Sequence, residues 1–344
     1  MGQSVWSDHI KIKSFPPLNG DTKVDVLIIG GGLSGILCAY LLEQEGMDYL
    51  LVEKNTIASG ITGNTTAKIT SQHGLIYDSL IRTMGSEKAA MYLWANQNAL
   101  EMYRILSQTM DFDFEEKTAF VYTRRDRKQI ENEVKAVNEL GFPAQFVEHL
   151  TLPIETKGAI AFSRQAQFHP LKLVAELSKH LNICENTFVK QVKGHTAWTN
   201  FGTITAEKII IATHFPFLNR HGSYFMKLYQ ERSYVLALEG AAEVEGMYLD
   251  ESKDGLSFRN YQNLLFLGGG THRSGKGETG WEYLQEFARS NYPEAILRYH
   301  WAAQDCMSLD LVPYIGKYSK HTPNWYVATG FHKWGMTSSM VAAM

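Results

Sequence analysis

The stretch from Val24 to Lys54, VDVLIIGGGLSGILCAYLLEQEGMDYLLVEK, constrains this chain more than any other. Val24, Val26, Leu27, Ile28 and Ile29 form a near-continuous apolar run, the pattern of a strand buried on both faces of a parallel sheet. Gly30, Gly32 and Gly35 then fall on GxGxxG. The first glycine permits a tight turn, the second lets backbone approach a pyrophosphate, and the third lets helix and strand pack closely. Ile36, Leu37, Ala39, Tyr40, Leu41 and Leu42 open a helix whose N-terminal N–H groups and dipole face the phosphates. Gly46 closes it. A second apolar strand, Tyr49 to Val52, delivers Glu53 18 residues after Gly35, where a carboxylate accepts both hydroxyls of an adenosine ribose and disfavours a 2′-phosphate. Glycines at this spacing are often only turn residues; strand, helix and acidic strand end arriving in order predict an adenine dinucleotide site.

The 344 residues exceed one typical domain, so two domains, interleaved or consecutive, are expected. A net charge of −3 leaves no electrostatic footprint for nucleic acid or an anionic membrane. Cys38, Cys184 and Cys306 are odd in number and lack CxxC spacing. That pattern argues against disulfides and against a metal or iron–sulfur site, and fits a reducing cytoplasm. No apolar run is long enough to span a bilayer.

Residues 1–22 read as an extended arm. The loop Asn55–Gly74, rich in Ser, Thr, Gly and Asn, leaves the sheet at the end that carries ligand in a doubly wound fold. Apolar periodicity predicts a long helix over 86–110 and a charged helix over 126–140 ended by Gly141 and Pro143. Pro170 starts another helix, through Leu181. Strands are expected at 119–123, 159–162, 188–192, 197–200 and 203–205, and Lys208–Ala212 returns to the buried parallel pattern. Short strands at 234–238, 246–249, 256–259 and 263–267 have the turn spacing of an antiparallel sheet. A helix over 282–292, a buried strand at 325–328 and a helix beginning at Gly335 follow. That last helix stops at Met344 within a few turns, and the chain reads as a fragment or one domain of a longer protein.

This order of motifs resembles the D-amino-acid-oxidase-like superfamily of FAD-dependent oxidoreductases, the group with glycine and sarcosine oxidases. Four stretches carry the match: Val24–Lys54; the loop from Ser59 to Ala67; GTITAEKIIIATHFPF, where Thr213-His214 replaces the family's Gly; and SLDLVPYIGKY through WYVATGFHKWGMT, with Asp310, Pro313, Ile315, Gly316, Gly330 and Gly335. The resemblance implies an α/β fold, a Rossmann-like FAD-binding domain of GR2 type interleaved with an α+β substrate domain built on an antiparallel sheet. The FAD-binding part would comprise 1–85, 155–215 and 305–344, and the substrate part 86–154 and 216–304.

The cofactor contacts it implies are Gly30, Gly32, Leu33, Ser34 and Gly35 at the turn, Glu53 and Lys54 at the strand end, and Ser59, Gly60, Thr62, Thr65, Thr66 and Ala67 in the loop. Val189 would meet adenine from a strand edge, with Ala212 and Thr213 near the pyrophosphate. Gly330, Phe331, Trp334, Gly335, Met336 and Thr337 would bring a helix N-terminus beside flavin N1 and O2, where charge collects on reduction. FAD would be noncovalent. Sarcosine-oxidase-like enzymes attach flavin through a Cys near Cys306, but here the spacing to Asp310 is shorter.

Glycine-oxidase-like enzymes hold the substrate carboxylate with an Arg whose place in WAAQDCMSLD is taken by Asp305, which would repel a carboxylate unless it is only an exposed loop charge. Lys333 stands at a second basic position. Hydride transfer to flavin N5 needs a positioned substrate more than a strong base, because the cofactor carries the difficult step. Among His73, His214, His272, His332, Arg232, Tyr234 and Arg259, the favoured catalytic residues are His272 and His332, together with Lys333.

The segments TGNTTAKITSQHGLIYD and DFEEK are also similar to a bacterial subfamily followed by a C-terminal Rieske [2Fe-2S] domain, although the Cys and His pairs of such a cluster are lacking here. The expected function is hydride transfer from a small amine or amino-acid-like substrate. The alternatives are a flavin dehydrogenase or relay passing electrons to a fused or partner iron–sulfur centre, and a flavoprotein whose FAD is structural.

Overall fold

The computed structural model describes residues 2–8, 10–218, 221–277 and 280–344. Two sheets organise it. The first has at its centre β1 (Thr22–Ile29), followed by α1 (Leu33–Gln44) and β2 (Tyr49–Val52). β1 lies between β2 and the strand Thr203–His214, parallel to both. Thr322–Thr329 and Ile183–Cys184 extend the parallel array on either side, and Tyr314–Ser319 closes one edge antiparallel. Val26 and Ile28 of β1 pack with Ile36 and Leu37 of α1, while Leu27 and Ile29 pack with Ile209, Ile211 and Val327. Burial on both faces is why β1 reads as an unbroken apolar run.

Among the described residues the second sheet has nine strands. Its order is Ile296–Ser308, Leu228–Glu239, Leu264–Arg273, Ser257–Tyr261, Met247–Asp250, Glu115–Thr123, Gly158–Gln167 and Lys68–Ile69, with Gln145–Val147 also on Gly158–Gln167. The pairing is antiparallel except between Met247–Asp250 and Glu115–Thr123, which run parallel. Side chains alternate cleanly here. Val235, Ala237, Phe266 and Trp301 share a core with α1, whereas Leu236, Leu238, Leu265 and Leu267 pack under the helix Trp281–Asn291 through Leu284 and Ala288. One face of the second sheet is thereby turned towards the first unit.

Several elements differ from the sequence expectation. Thr203–His214 is one continuous strand rather than two. The expected strand at 188–192 begins only at Gln191, because Thr187 and Phe188 donate their N–H groups to the Glu53 carbonyl (2.8 Å) and Asn200 Oδ1 (2.8 Å) instead of to a ladder. The helix Tyr77–Met84 and the strands Ile296–Ser308 and Tyr314–Ser319 were not expected. Ile296–Ser308 is an edge strand, exposed over its first half and carrying Gln304 and Asp305 in its second, so it lacks the apolar alternation that marks a strand. The N-terminal arm includes a 3₁₀ turn, Val5–Ser7, that buries Trp6, whose Nε1–H donates to the Thr65 carbonyl at 2.6 Å.

Sheet membership also cuts across the expected segments. Gly158–Gln167 and Lys68–Ile69 belong to the second sheet although they lie within 155–215 and 1–85, and Ile296–Ser308 runs past residue 305.

Candidate functional site

The turn between β1 and α1 is held by the backbone. Gly30 has φ +114°, donates its N–H to the Val52 carbonyl at 2.9 Å, and leaves so little room that a Cβ there would lie 2.6 Å from the Ala212 oxygen. A Cβ on Gly35 would be driven into the Gly30 carbonyl oxygen. The Glu53 carboxylate accepts from Gly31 N–H (2.8 Å) and Asn55 N–H (2.9 Å), and Thr62 Oγ1 accepts from Leu33 N–H (3.0 Å), so strand end and loop both brace the turn. The Ser34 hydroxyl, in the first turn of α1, is buried without a hydrogen-bond partner.

These residues border a cavity of ≈ 650 Å³ running from the turn to the second sheet. Of the expected cofactor residues it gathers Gly30, Gly32, Leu33, Ser34, Glu53, Lys54, Ser59, Gly60, Thr62, Thr65, Thr66, Val189, Ala212, Thr213, Phe331, Trp334, Gly335 and Met336. The loop is ordered by a 3₁₀ turn, Ile61–Asn64. Gly35, Ala67, Gly330 and Thr337 stand behind the lining. The Ala67 carbonyl accepts from Arg259 Nη1 at 3.1 Å, and Thr337 Oγ1 lies 3.1 Å from His73 Nε2. The helix Gly335–Ala343 points its N-terminus at the cavity, where first-turn N–H groups have no intrahelical partner.

Of the three residues favoured for chemistry, His332 and Lys333 line the cavity and His272 does not. His272 Nε2 instead lies 2.9 Å from the Tyr234 hydroxyl, with Nδ1 3.0 Å from the Arg273 carbonyl. His332 Nε2 accepts from Ser308 N–H at 3.3 Å, and burial, aided by Lys333, holds its pKa down to about 4, so the ring is neutral near pH 7. Lys333 Nζ donates to Thr271 Oγ1 at 2.9 Å. His73 is buried off the cavity. Its Nε2–H donates to the Thr70 carbonyl (2.8 Å), its Nδ1 accepts from the Tyr92 hydroxyl (2.6 Å), and its ring stacks on Trp334. His214 lines the cavity with a partnerless Nε2. Arg259 is fully buried among Trp6, Tyr261 and Phe266, away from the lining.

Two further charged side chains stand in the cavity wall. Lys68 lines the cavity and donates to the Tyr248 carbonyl at 3.0 Å; burial pulls its pKa down to about 7, with Arg259 and Lys333 adding to the effect. The sequence offered a signal: Lys68 is a lone cation in a loop of Ser, Thr, Gly and Asn. Asp305 is a buried residue of the cavity wall, not an exposed loop charge. Its neighbour Cys306 turns into the core, with Sγ 3.7 Å from Thr329 Oγ1, and does not line the cavity.

A family model described as FAD dependent oxidoreductase matches residues 25–344. The chain belongs to this DAO family. A Bacillus subtilis (strain 168) relative named "Putative Rieske 2Fe-2S iron-sulfur protein YhfW" is 36% identical across 99% of this chain and 71% of its own length. Among solved structures, glycine oxidase from Geobacillus kaustophilus superposes with a TM-score of 0.76 at 18% identity, covering 93% of this chain and 92% of that one. L-proline dehydrogenase from P. horikoshii superposes at 0.77 and 16% identity, covering 95% and 92%. The fold is that of these enzymes, and the DAO family's FAD suits the residues present: the turn has no room for a Cβ at Gly30 or Gly35, and the Ser34 hydroxyl is buried beside the cavity with its hydrogen-bonding capacity unused. The protein is an FAD-dependent oxidoreductase. Among the described residues, no helix is long and apolar enough to cross a membrane.

Proposed function

We propose that this chain oxidises a small amine or amino-acid-like substrate, held between the β1–α1 turn and the second sheet. The observation that carries this reading is a single cavity continuous from the glycine turn to a wall that bears Lys68, His332, Lys333 and Asp305. FAD, when bound, supplies the hydride acceptor. In this reading Gly30, Gly32, Leu33, Ser34 and Gly35 form the pyrophosphate cradle, Glu53 and Lys54 face the adenosine, Val189 contacts adenine, and Ala212 and Thr213 flank the phosphates. Ser59, Gly60, Thr62, Thr65, Thr66 and Ala67 run towards the flavin, and Gly330, Phe331 and Trp334–Thr337 present a positive helix end to it. Lys68, with its pKa pulled down to about 7 so that a substantial fraction is neutral near pH 7, is placed to take the proton an ammonium must lose before its carbon can give up hydride. Cys306, turned away from the cavity, suits a noncovalent cofactor. The two sheets act as a nucleotide-binding unit and a substrate-binding unit interleaved along the chain, in a protein that works in the cytoplasm.

The test is anaerobic mixing of the FAD-loaded protein with a panel of primary and secondary amines and amino acids. Loss of the flavin's visible absorption with at least one of them is expected; no loss with any of them overturns the reading. A second reading is favoured by the name of the Bacillus relative: electrons leave towards an iron–sulfur centre rather than to oxygen. Reoxidation by a one-electron acceptor but not by air, with no peroxide formed, supports it, and stoichiometric peroxide counts against it.

A further inference from the structure

Asp305 presents a buried carboxylate to the cavity. It sits on Ile296–Ser308, on the face of that strand that also carries Trp301 and Ala303. Across the ladder its partner in register is Glu231, also buried. Two carboxylates are therefore enclosed side by side, and among the described residues neither takes part in an ion pair. The hydrogen bond to Asp305 is a long one, 3.3 Å from the Ser233 hydroxyl to Oδ2. Lys333 is the nearby cation, but its Nζ is hydrogen-bonded to Thr271, and the adjoining Cys306 thiol is buried and neutral. A buried carboxylate with no cation in ion-pair contact is costly, and a ligand that brings one into contact relieves that cost. Burial raises the Asp305 carboxyl to about 6, with Lys333 and Ser233 opposing and Glu231 reinforcing, so it remains mostly ionised above pH 7.

We infer that Asp305 selects the substrate's charge: it is the counter-ion for an organic ammonium group, and it excludes ligands that would place a carboxylate at that point of the wall. This deepens the proposed function and rests on it for the identity of the cavity as the substrate site. The ammonium that Asp305 binds is either the reacting nitrogen, which then passes its proton on, or a second cationic group of the same substrate.

The test uses tert-butylamine and pivalate, a matched cation and anion that lack an α C–H and so cannot be oxidised. Their binding to the FAD-loaded full chain is measured by titration calorimetry at pH 8. The inference expects tert-butylammonium to bind and pivalate to bind at least tenfold more weakly. In Asp305→Asn the ammonium affinity falls at least tenfold while FAD content stays unchanged and the melting temperature does not fall, and pivalate gains. Tighter binding of pivalate than of the amine to the wild-type protein overturns the inference, as does an ammonium affinity untouched by Asp305→Asn. The wild-type comparison holds even if the variant fails to fold. The readout is independent of turnover, so a failure here is distinct from a failure of amine-driven flavin reduction.

Discussion

The two ends of the cavity are built in different ways. At the turn the shape is set by backbone: the N–H groups of Gly30, Gly31 and Leu33 fix the turn against Val52, Glu53 and Thr62, the glycines allow close approach, and these parts lie within a few dozen consecutive residues. At the second sheet the work is done by side chains from distant places: Lys68 from a two-residue strand, Ser233 and Asp305 from neighbouring long strands, and Lys333 from the segment after Thr322–Thr329. Backbone sites tolerate almost any surrounding sequence but no Cβ at a few positions. Side-chain sites tolerate backbone changes poorly but can be rewritten one residue at a time. The first kind conserves a cofactor, and the second can change a substrate.

The sharpest way to break this contrast is at the turn. Gly30→Ala combines a left-handed backbone with a collision against the Ala212 carbonyl, at about 2–6 kcal/mol taken together. Roughly 30-fold or greater loss of FAD affinity is expected, since about 1.4 kcal/mol corresponds to a factor of ten. Fluorescence titration of the flavin-free protein with FAD checks it; retention of wild-type affinity would mean the turn is not the cradle.

At the wall, Lys68→Met keeps the shape and removes the amine. FAD affinity should stay within a factor of about two, while amine-driven flavin reduction slows on the order of 100-fold, the lower end for loss of a proton acceptor. An amine with a pKa of about 7 accepts a proton only when neutral, so the wild-type rate rises with pH through about 7, and Lys68→Met loses that rise. Stopped-flow reduction from pH 6 to 9 on both proteins decides it. A variant that fails to bind FAD would show that the two ends are not separable.

The same contrast explains what the sequence made legible. Strand, turn, helix and strand at Val24–Lys54 could be read because each constraint is local: both-face burial makes an apolar run, and steric limits demand glycine at fixed spacing. Tyr49–Val52 matches its expected bounds for that reason. Ile296–Ser308 could not be read this way, because its first half is largely solvent-exposed and its second mixes the core residues Trp301 and Cys306 with Ala303 and Asp305 of the cavity wall, which removes the apolar run. Lys68 and Asp305 are brought to one wall by pairings separated by most of the chain. Asp305 was visible as an oddity, and only the structure decided between an exposed loop charge and a buried residue of the cavity wall. His272, read as facing ligand because it follows three glycines, lies outside the lining with its Nε2 2.9 Å from the Tyr234 hydroxyl.

His73 tests the seam between the ends, since it ties the loop at Thr70 to Thr337 of the last helix. Burial holds its pKa down to about 3 from the usual 6.5, so below pH 6.5 the unfolded chain binds a proton that the folded one refuses. Stability contributed by the neutral ring is full above 6.5 and falls by about 1.4 kcal/mol per pH unit as the pH drops from 6.5 towards 3. His73→Gln should flatten the urea-unfolding stability against pH between 6.5 and 5 by that slope. An unchanged slope would mean that the ring becomes protonated in the folded protein.

The smallest expected effect separates cofactor binding from folding at a single hydroxyl. Ser34 Oγ is buried without a partner, so in the flavin-free protein the group carries a desolvation penalty and returns nothing. Ser34→Ala removes that penalty, and the flavin-free variant should be as stable as the wild type or slightly more so. With FAD present the sign reverses if the hydroxyl meets the pyrophosphate, because a hydrogen bond to a charged group contributes about 1.5–3 kcal/mol. Thermal unfolding with and without saturating FAD gives both numbers from one pair of proteins. A smaller FAD-induced stabilisation in Ser34→Ala than in wild type places the pyrophosphate at the start of α1. An equal stabilisation would move the phosphates away from Ser34, and with them the end of the cavity that the glycine turn defines.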